Sequence, residues 1–190
     1  AGDVVTFAIV LENIGSGPEG AFDVTVRDTL PAGFSVPGTG LNLSVTDGTG
    51  AALAFTDLGG GLLGGSGLRL NDPGASQGAL TTYSTTTGTN IAVVTYDLVL
   101  DAAAGANQTL TNTATLANFA GTEGGPDFTP VDRTDTASVT TRPPTMTKTI
   151  VTTNQAHTAG NAVAIGERVA YRVTLRVPEG TTPAAALTDV

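Results

Sequence analysis

The sequence predicts an all-β protein, a sandwich of short antiparallel strands. Three observations carry that reading. Apolar residues recur at every second position in stretch after stretch, which is the period of a strand with one buried face. Helical periodicity is nearly absent. The composition suits strands and turns: Thr, Val, Ala and Gly dominate, with 25 Gly and 10 Pro in 190 residues and aromatics at only 5%. β-branched residues fit a pleated surface, and Gly and Pro fit the turns between strands. At 40% hydrophobic, the chain has apolar surface for a core, which argues against disorder throughout.

The elements follow in order. "VVTFAIVLEN" from Val4 places Val5, Phe7, Ile9 and Leu11 on one face, and "FDVTVRDTL" from Phe22 does the same with Phe22, Val24 and Val26. "LNLSVTD" alternates Leu41, Leu43 and Val45. "LGGGLLGGSG", Leu58 to Gly67, has the glycines of a phosphate-binding loop but lacks its Gly-Lys-Ser/Thr ending and any strand-to-helix setting, so it reads as tight turns or a flexible loop. "IAVVTYDLVL" offers Val94, Tyr96, Leu98 and Leu100. "DAAAGANQ" is short and broken by Gly105, and reads as a loop. "LTNTATLANF" and "TDTASVTT" continue the alternation. The expected core is Val5, Phe7, Ile9, Leu11, Val24, Val26, Val94, Tyr96 and Leu98.

Arg142-Pro143-Pro144 marks a boundary, because proline has no donor for a central ladder and stiffens an extended joint. The expected organisation is a near-complete unit over 1–140 with a long insert at about 38–90, a Pro-rich linker over 141–147, and the opening strands of a second unit over 148–190. Self-similarity supports this. "GDVVTFAIVLEN" returns as "GERVAYRVTLRV", with Gly2, Phe7, Ile9 and Leu11 answering to Gly166, Tyr171, Val173 and Leu175 at an offset of 164. "VRDTLP" returns as "LTDV", with Asp28 answering to Asp189 at an offset of 161. A fixed-period likeness of this kind marks an array of domains.

Net charge is −9. That argues against nucleic acid and against an anionic membrane surface as partners, since both need basic patches. No apolar run is long enough for a membrane-spanning helix. With no Cys in the chain, disulfides and thiolate metal sites are excluded.

"GDVVTFAIVLENIGSGPEGAFDVTVRDTLPAGF" resembles the opening of DUF11-type repeat domains of bacterial surface proteins, and "LTNTATL" resembles their closing strand. The stretch from "PTMTKTIV" to "VPEGTTP" is similar to the start of repeats in isopeptide-forming domain-containing fimbrial proteins. The resemblance implies an immunoglobulin-like β-sandwich, repeated in tandem, outside the cell or on the bacterial surface. It implies a structural task in a fibre, fimbria, stalk or surface coat, with copies of itself or adjacent repeats as partners. It also implies one single-turnover reaction, in which a first-strand Lys attacks an Asn of the last strand with help from an Asp or Glu. Lys148 in "MTKTI" stands where the family places that Lys, Asn112 is the candidate amide, and Asp28 and Asp189 are the candidate carboxyls of the two units. The four belong to different repeats. The lysine serving Asn112 is expected before Ala1, and the amide serving Lys148 beyond Val190.

Other chemistry is thinly represented. A single His, His157, cannot build a zinc site and has no nucleophile in a recognisable setting, so it reads as a surface residue and conventional turnover is not expected. Glu123, Asp127, Asp132 and Asp135 gather in a Gly/Pro-rich stretch that could hold calcium, though without EF-hand spacing; solvated turn carboxylates are the plainer reading, and no other cofactor is expected. Asn42 and Asn107 head Asn-x-Ser/Thr sequons. The competing functional reading is an adhesin module that recognises glycan or host surface through the 38–90 segment, whose aromatics are Phe55 and Tyr83.

Overall fold

The structure, a computed structural model, describes residues 1–157, 161–178 and 185–188. Eleven strands run through them, with no helix. They are β1 (Val4–Glu12), β2 (Phe22–Thr29), β3 (Phe34–Ser35), β4 (Ser44–Asp47), β5 (Phe55–Asp57) and β6 (Leu68–Leu70). Then come β7 (Ile91–Leu100), β8 (Thr109–Ala120), β9 (Arg133–Thr140), β10 (Thr145–Thr153) and β11 (Val169–Arg176). Every pairing is antiparallel.

One sheet centres on β7, which pairs with β1 along its whole length and with β3 and β4 on its other side. The second has the order β5-β6-β2-β8-β9, and β10 and β11 form a two-stranded sheet of their own. The two larger sheets share one core, as in a β-sandwich. Phe7, Ile9, Val94, Tyr96 and Leu98 come to it from the first, and Val24, Val26, Leu68, Leu70 and Leu110 from the second. Of the nine expected core residues, seven are buried, while Val5 and Leu11 are half-buried against the cluster. Alternation along β1 and β7 produces this directly, since odd residues of β1 and even residues of β7 face inward.

Three expectations need correction. β2 does not alternate: Phe22 to Val26 are all buried. It lies inside the five-stranded sheet, and its pairing with β8 shifts register between Phe22 and Val26, with Asp23 at φ 54. Such irregularities break the simple two-residue period. "LNLSVTD" yields a strand only from Ser44, and Leu41 and Leu43 pack half-buried outside it. The 38–90 segment is not a loop laid over a finished sandwich. It supplies β4, β5 and β6 and buries Val45, Leu62, Leu68, Leu70, Ala79 and Leu80 in the common core.

The Gly-rich stretch shows why its glycines are there. Leu62 is fully buried, and its carbonyl accepts a hydrogen bond from Asp28 N–H at 2.9 Å. Gly67 adopts φ 73, and a Cβ there would stand 2.4 Å from the Val26 carbonyl oxygen. The turn is pressed against β2, and only a residue without a side chain fits at that approach.

Candidate functional site

Three strands from the two sheets each direct one polar side chain to the same place. The inward face of β2 that carries Val24 and Val26 continues to Asp28. On β8 the buried positions Leu110 and Asn112 share a face, and on β7 Tyr96 stands between Val94 and Leu98. Each polar group is inward because its neighbours two residues away are apolar core.

The three are nearly sealed from solvent: Asp28 is 2% exposed, Asn112 4% and Tyr96 0%. Tyr96 Oη donates to Asp28 Oδ2 at 2.7 Å. Asn112 Nδ2 donates to Asp28 Oδ2 at 3.1 Å and to Tyr96 Oη at 2.6 Å. Asp28 Oδ1 and Asn112 Oδ1 are buried without a partner. Phe7 stacks on the Tyr96 ring at 5.8 Å and closes the site from β1. The cluster forms the floor of an open cleft of about 260 Å³ between β1 on one side and β8 and β9 on the other. Arg133 and Asp135 of β9 line its outer wall.

Burial raises the Asp28 carboxyl above the ordinary aspartate value, while hydrogen bonds from Tyr96, Asn112 and the Thr29 backbone work in the opposite direction. Burial, with the hydrogen bond to Asp28 and its charge, pushes the Tyr96 phenol up. A carboxyl whose pKa is higher folded than unfolded binds its proton more tightly in the native state. Its stabilising contribution is fully present below the ordinary aspartate value and is lost as pH rises through the raised one. Asp28→Asn removes this dependence. The stability of the wild type relative to Asp28→Asn is therefore expected to fall with rising pH across that window. Urea unfolding of both proteins from about pH 3 to 8 measures it, and a constant difference would contradict a buried, titrating carboxyl.

Two buried acceptors without donors are costly, at about 1–3 kcal/mol each. A primary amine suits the site, because a protonated one brings three donors and a neutral one adds a nucleophile. The arrangement can thus bind a lysine head, and it places a carboxyl raised by burial beside the carboxamide such a lysine could attack.

The structure brings together Asp28 and Asn112, the carboxyl and amide singled out in the first unit. Alternation places Tyr96 in the core but does not by itself show that its hydroxyl bonds both Asp28 and Asn112. The signal was present, since a buried phenol oxygen needs a partner and Asp28 and Asn112 lie on inward faces. Lys148 is on β10, away from the cluster in sheet order, with its ammonium 4.7 Å from the centre of the Tyr171 ring. Asp189 lies outside the described residues.

The acidic stretch does not converge. Among the described residues no group of three or more His, Cys, Asp or Glu side chains is gathered as a metal site. Asp127 accepts from Thr129 N–H and Oγ1, Asp132 pairs with Arg27 at 2.5 Å, and Asp135 accepts from Thr136 N–H. The sequence neighbourhood of Glu123, Asp127, Asp132 and Asp135 is therefore not a spatial one in this structure. His157 is exposed in a turn. Comparison with protein-family models, with curated proteins and with solved structures finds no match to the chain.

Proposed function

We propose that the chain is a structural piece of an extracellular fibre, fimbria, stalk or surface coat, built of immunoglobulin-like sandwiches in tandem or head-to-tail order. One observation carries this reading. The sandwich is followed by a separate two-stranded sheet, and β11 of that sheet repeats the sequence of β1 at an offset of 164. The hairpin leaves Met146, Tyr171 and Leu175 exposed. A sheet with an uncovered apolar face needs a covering partner, and further units of the same kind supply one. The resemblance to repeats of bacterial surface and fimbrial proteins points the same way. Electron microscopy of the native assembly tests it. The expected result is a periodic string of sandwich-sized units, and a dispersed protein with no periodic assembly would overturn it.

The buried carboxyl–amide pair gives this structural task a chemistry. A neutral lysine amine attacks Asn112 Cγ, and a carbon–nitrogen bond forms as the bond to Nδ2 breaks. Asp28, which accepts from Asn112 Nδ2, takes the amine proton and passes it to the departing nitrogen, so one ammonia leaves per linkage. The raised Asp28 carboxyl supports that role. Intact-mass measurement of the assembled protein is expected to show denaturant-resistant linkages, each short of one ammonia. Asn112→Ala should abolish them, and their persistence in that variant would remove Asn112 from the reaction.

A further inference from the structure

We propose that the outer face of β11, which carries Arg172 and Arg176, docks on the outer face of β1 and β7 of a second copy of this chain, where Glu12 and Asp97 supply the opposite charge. The inference rests on the repeat-array reading and adds a sideways contact to it.

The repeat alignment is the first support. At the offset of 164, Tyr171, Val173 and Leu175 answer to Phe7, Ile9 and Leu11 on the inward face of β1. The other face is not kept. Arg168, Arg172 and Arg176 stand where the first unit has Val4, Ala8 and Glu12. Those three positions of β1 are exposed in the sandwich. The fold therefore asks for no arginine there. Strands that complete the second unit would cover the Tyr171 face and leave the arginine face open. Thr145 and Thr149 of β10 stand opposite Arg176 and Arg172, and opposed residues of an antiparallel pair share a face. The arginines thus rise from a flat surface of small hydroxyl side chains.

Charge selects the partner. Fourteen of the seventeen Asp and Glu precede Arg142, together with only three of the eight Lys and Arg. From Arg142 onward the balance reverses, with five cations to three carboxylates. Arg27 and Arg69 pair with Asp132 and Asp23 in the sandwich, whereas among the described residues Arg168, Arg172 and Arg176 join no ion pair.

The outer face of β1 and β7 fits them. Neither strand holds a Lys or Arg. Asp97 accepts from Thr6 Oγ1 at 2.6 Å and from Asn42 Nδ2 at 2.8 Å, and these bonds hold its carboxyl below the ordinary aspartate value, charged at neutral pH. Glu12 is exposed on the same face of β1 as Val4, Ala8 and Val10. Those three give arginine stems an apolar surface to lie on, and the weakly hydrated guanidinium tolerates such a contact. A strand added at the edge of β1 would widen this sheet without covering its face.

The chain's own hairpin falls short. Thr141 N–H donates to the Gln108 carbonyl, its hydroxyl to the Gly105 carbonyl, and Asn107 N–H to the Arg142 carbonyl, so the linker starts fixed to the sandwich. A layer on the outer face of β1 and β7 lies two sheet spacings, roughly 20 Å, from the sheet that holds β9. The three steps from Arg142 to Thr145 span about 11 Å at full extension. Arg142 and Pro143 each precede a proline, which keeps both extended rather than folded back.

Sedimentation of the full chain tests the contact. At low salt the chain is expected to self-associate with rising concentration, and about tenfold more weakly in about 1 M salt, where the screening length is about 3 Å. Arg172→Gln with Arg176→Gln should remove the association, and so should Glu12→Gln with Asp97→Asn. Glu19→Gln with Glu123→Gln makes the same change in net charge at exposed positions elsewhere and should leave it intact. A chain that stays monomeric, association unchanged without the two arginines, or equal effects from the two carboxylate pairs would each overturn the contact. Salt-dependent compaction that ignores concentration would put the hairpin on its own sandwich and overturn the second copy. Association in the expected pattern without any periodic fibre by microscopy would sink the array reading and leave the contact standing; periodic single strings that never associate sideways at low salt would do the reverse.

Discussion

Phe7→Ala is expected to destabilise the sandwich by about 3–5 kcal/mol, the usual cost of emptying a buried aromatic site. The ring is 6% exposed and makes two aromatic contacts, edge-on to Phe34 at 5.7 Å and stacked on Tyr96 at 5.8 Å. Truncation would also let water reach Asp28 and Asn112 from the β1 side. Hydration would relieve the burial that raises the Asp28 carboxyl, so the pH dependence should weaken together with the stability. Denaturant unfolding at two pH values reads both effects. A loss below about 1 kcal/mol would show that the ring is not part of a packed core.

Leu62→Ala is expected to cost about 2–5 kcal/mol, as for other large-to-small changes at fully buried positions. This is a strong expectation for a residue inside "LGGGLLGGSG", a stretch whose composition suggests a flexible loop. The side chain is 0% exposed, and the backbone around it is fixed by the bond from Asp28 N–H. Collapse around the vacancy would pull on β2 and hence on Asp28 itself. Urea unfolding measures the loss. A change near zero would mean that the turn floats free of the core.

What the sequence reveals here depends on strand length. β1 and β7 are nine and ten residues long, and their alternation is read almost to the residue. β3, β5 and β6 have two or three residues each, too few to display a period. They exist because Phe34, Leu68 and Leu70 find neighbours far away in the chain. β2 hides its two-sided burial for another reason: the register shift after Phe22 rotates side chains that strict alternation would have placed outside. At the site, Asp28 and Asn112 are legible because each sits two residues from core positions and within motifs matched by the resemblance. Tyr96 looks like any core aromatic until its oxygen is followed to a partner. Glu123, Asp127, Asp132 and Asp135 are close in sequence, but Asp127 turns to Thr129, Asp132 to Arg27 and Asp135 to Thr136.

The placement of Gly2 and Thr141 has a mechanical consequence. Gly2 bonds Leu100 and Thr141 bonds Gly105 and Gln108, so both lie at one end of the sandwich. A pull between those two points would load β1 and β9 at that end. The bonds of an antiparallel pair lie across the strands, so the β1–β7 and β8–β9 ladders would open one pair after another from there. Resistance in that direction rests on the first few pairs rather than on the summed length of the ladders.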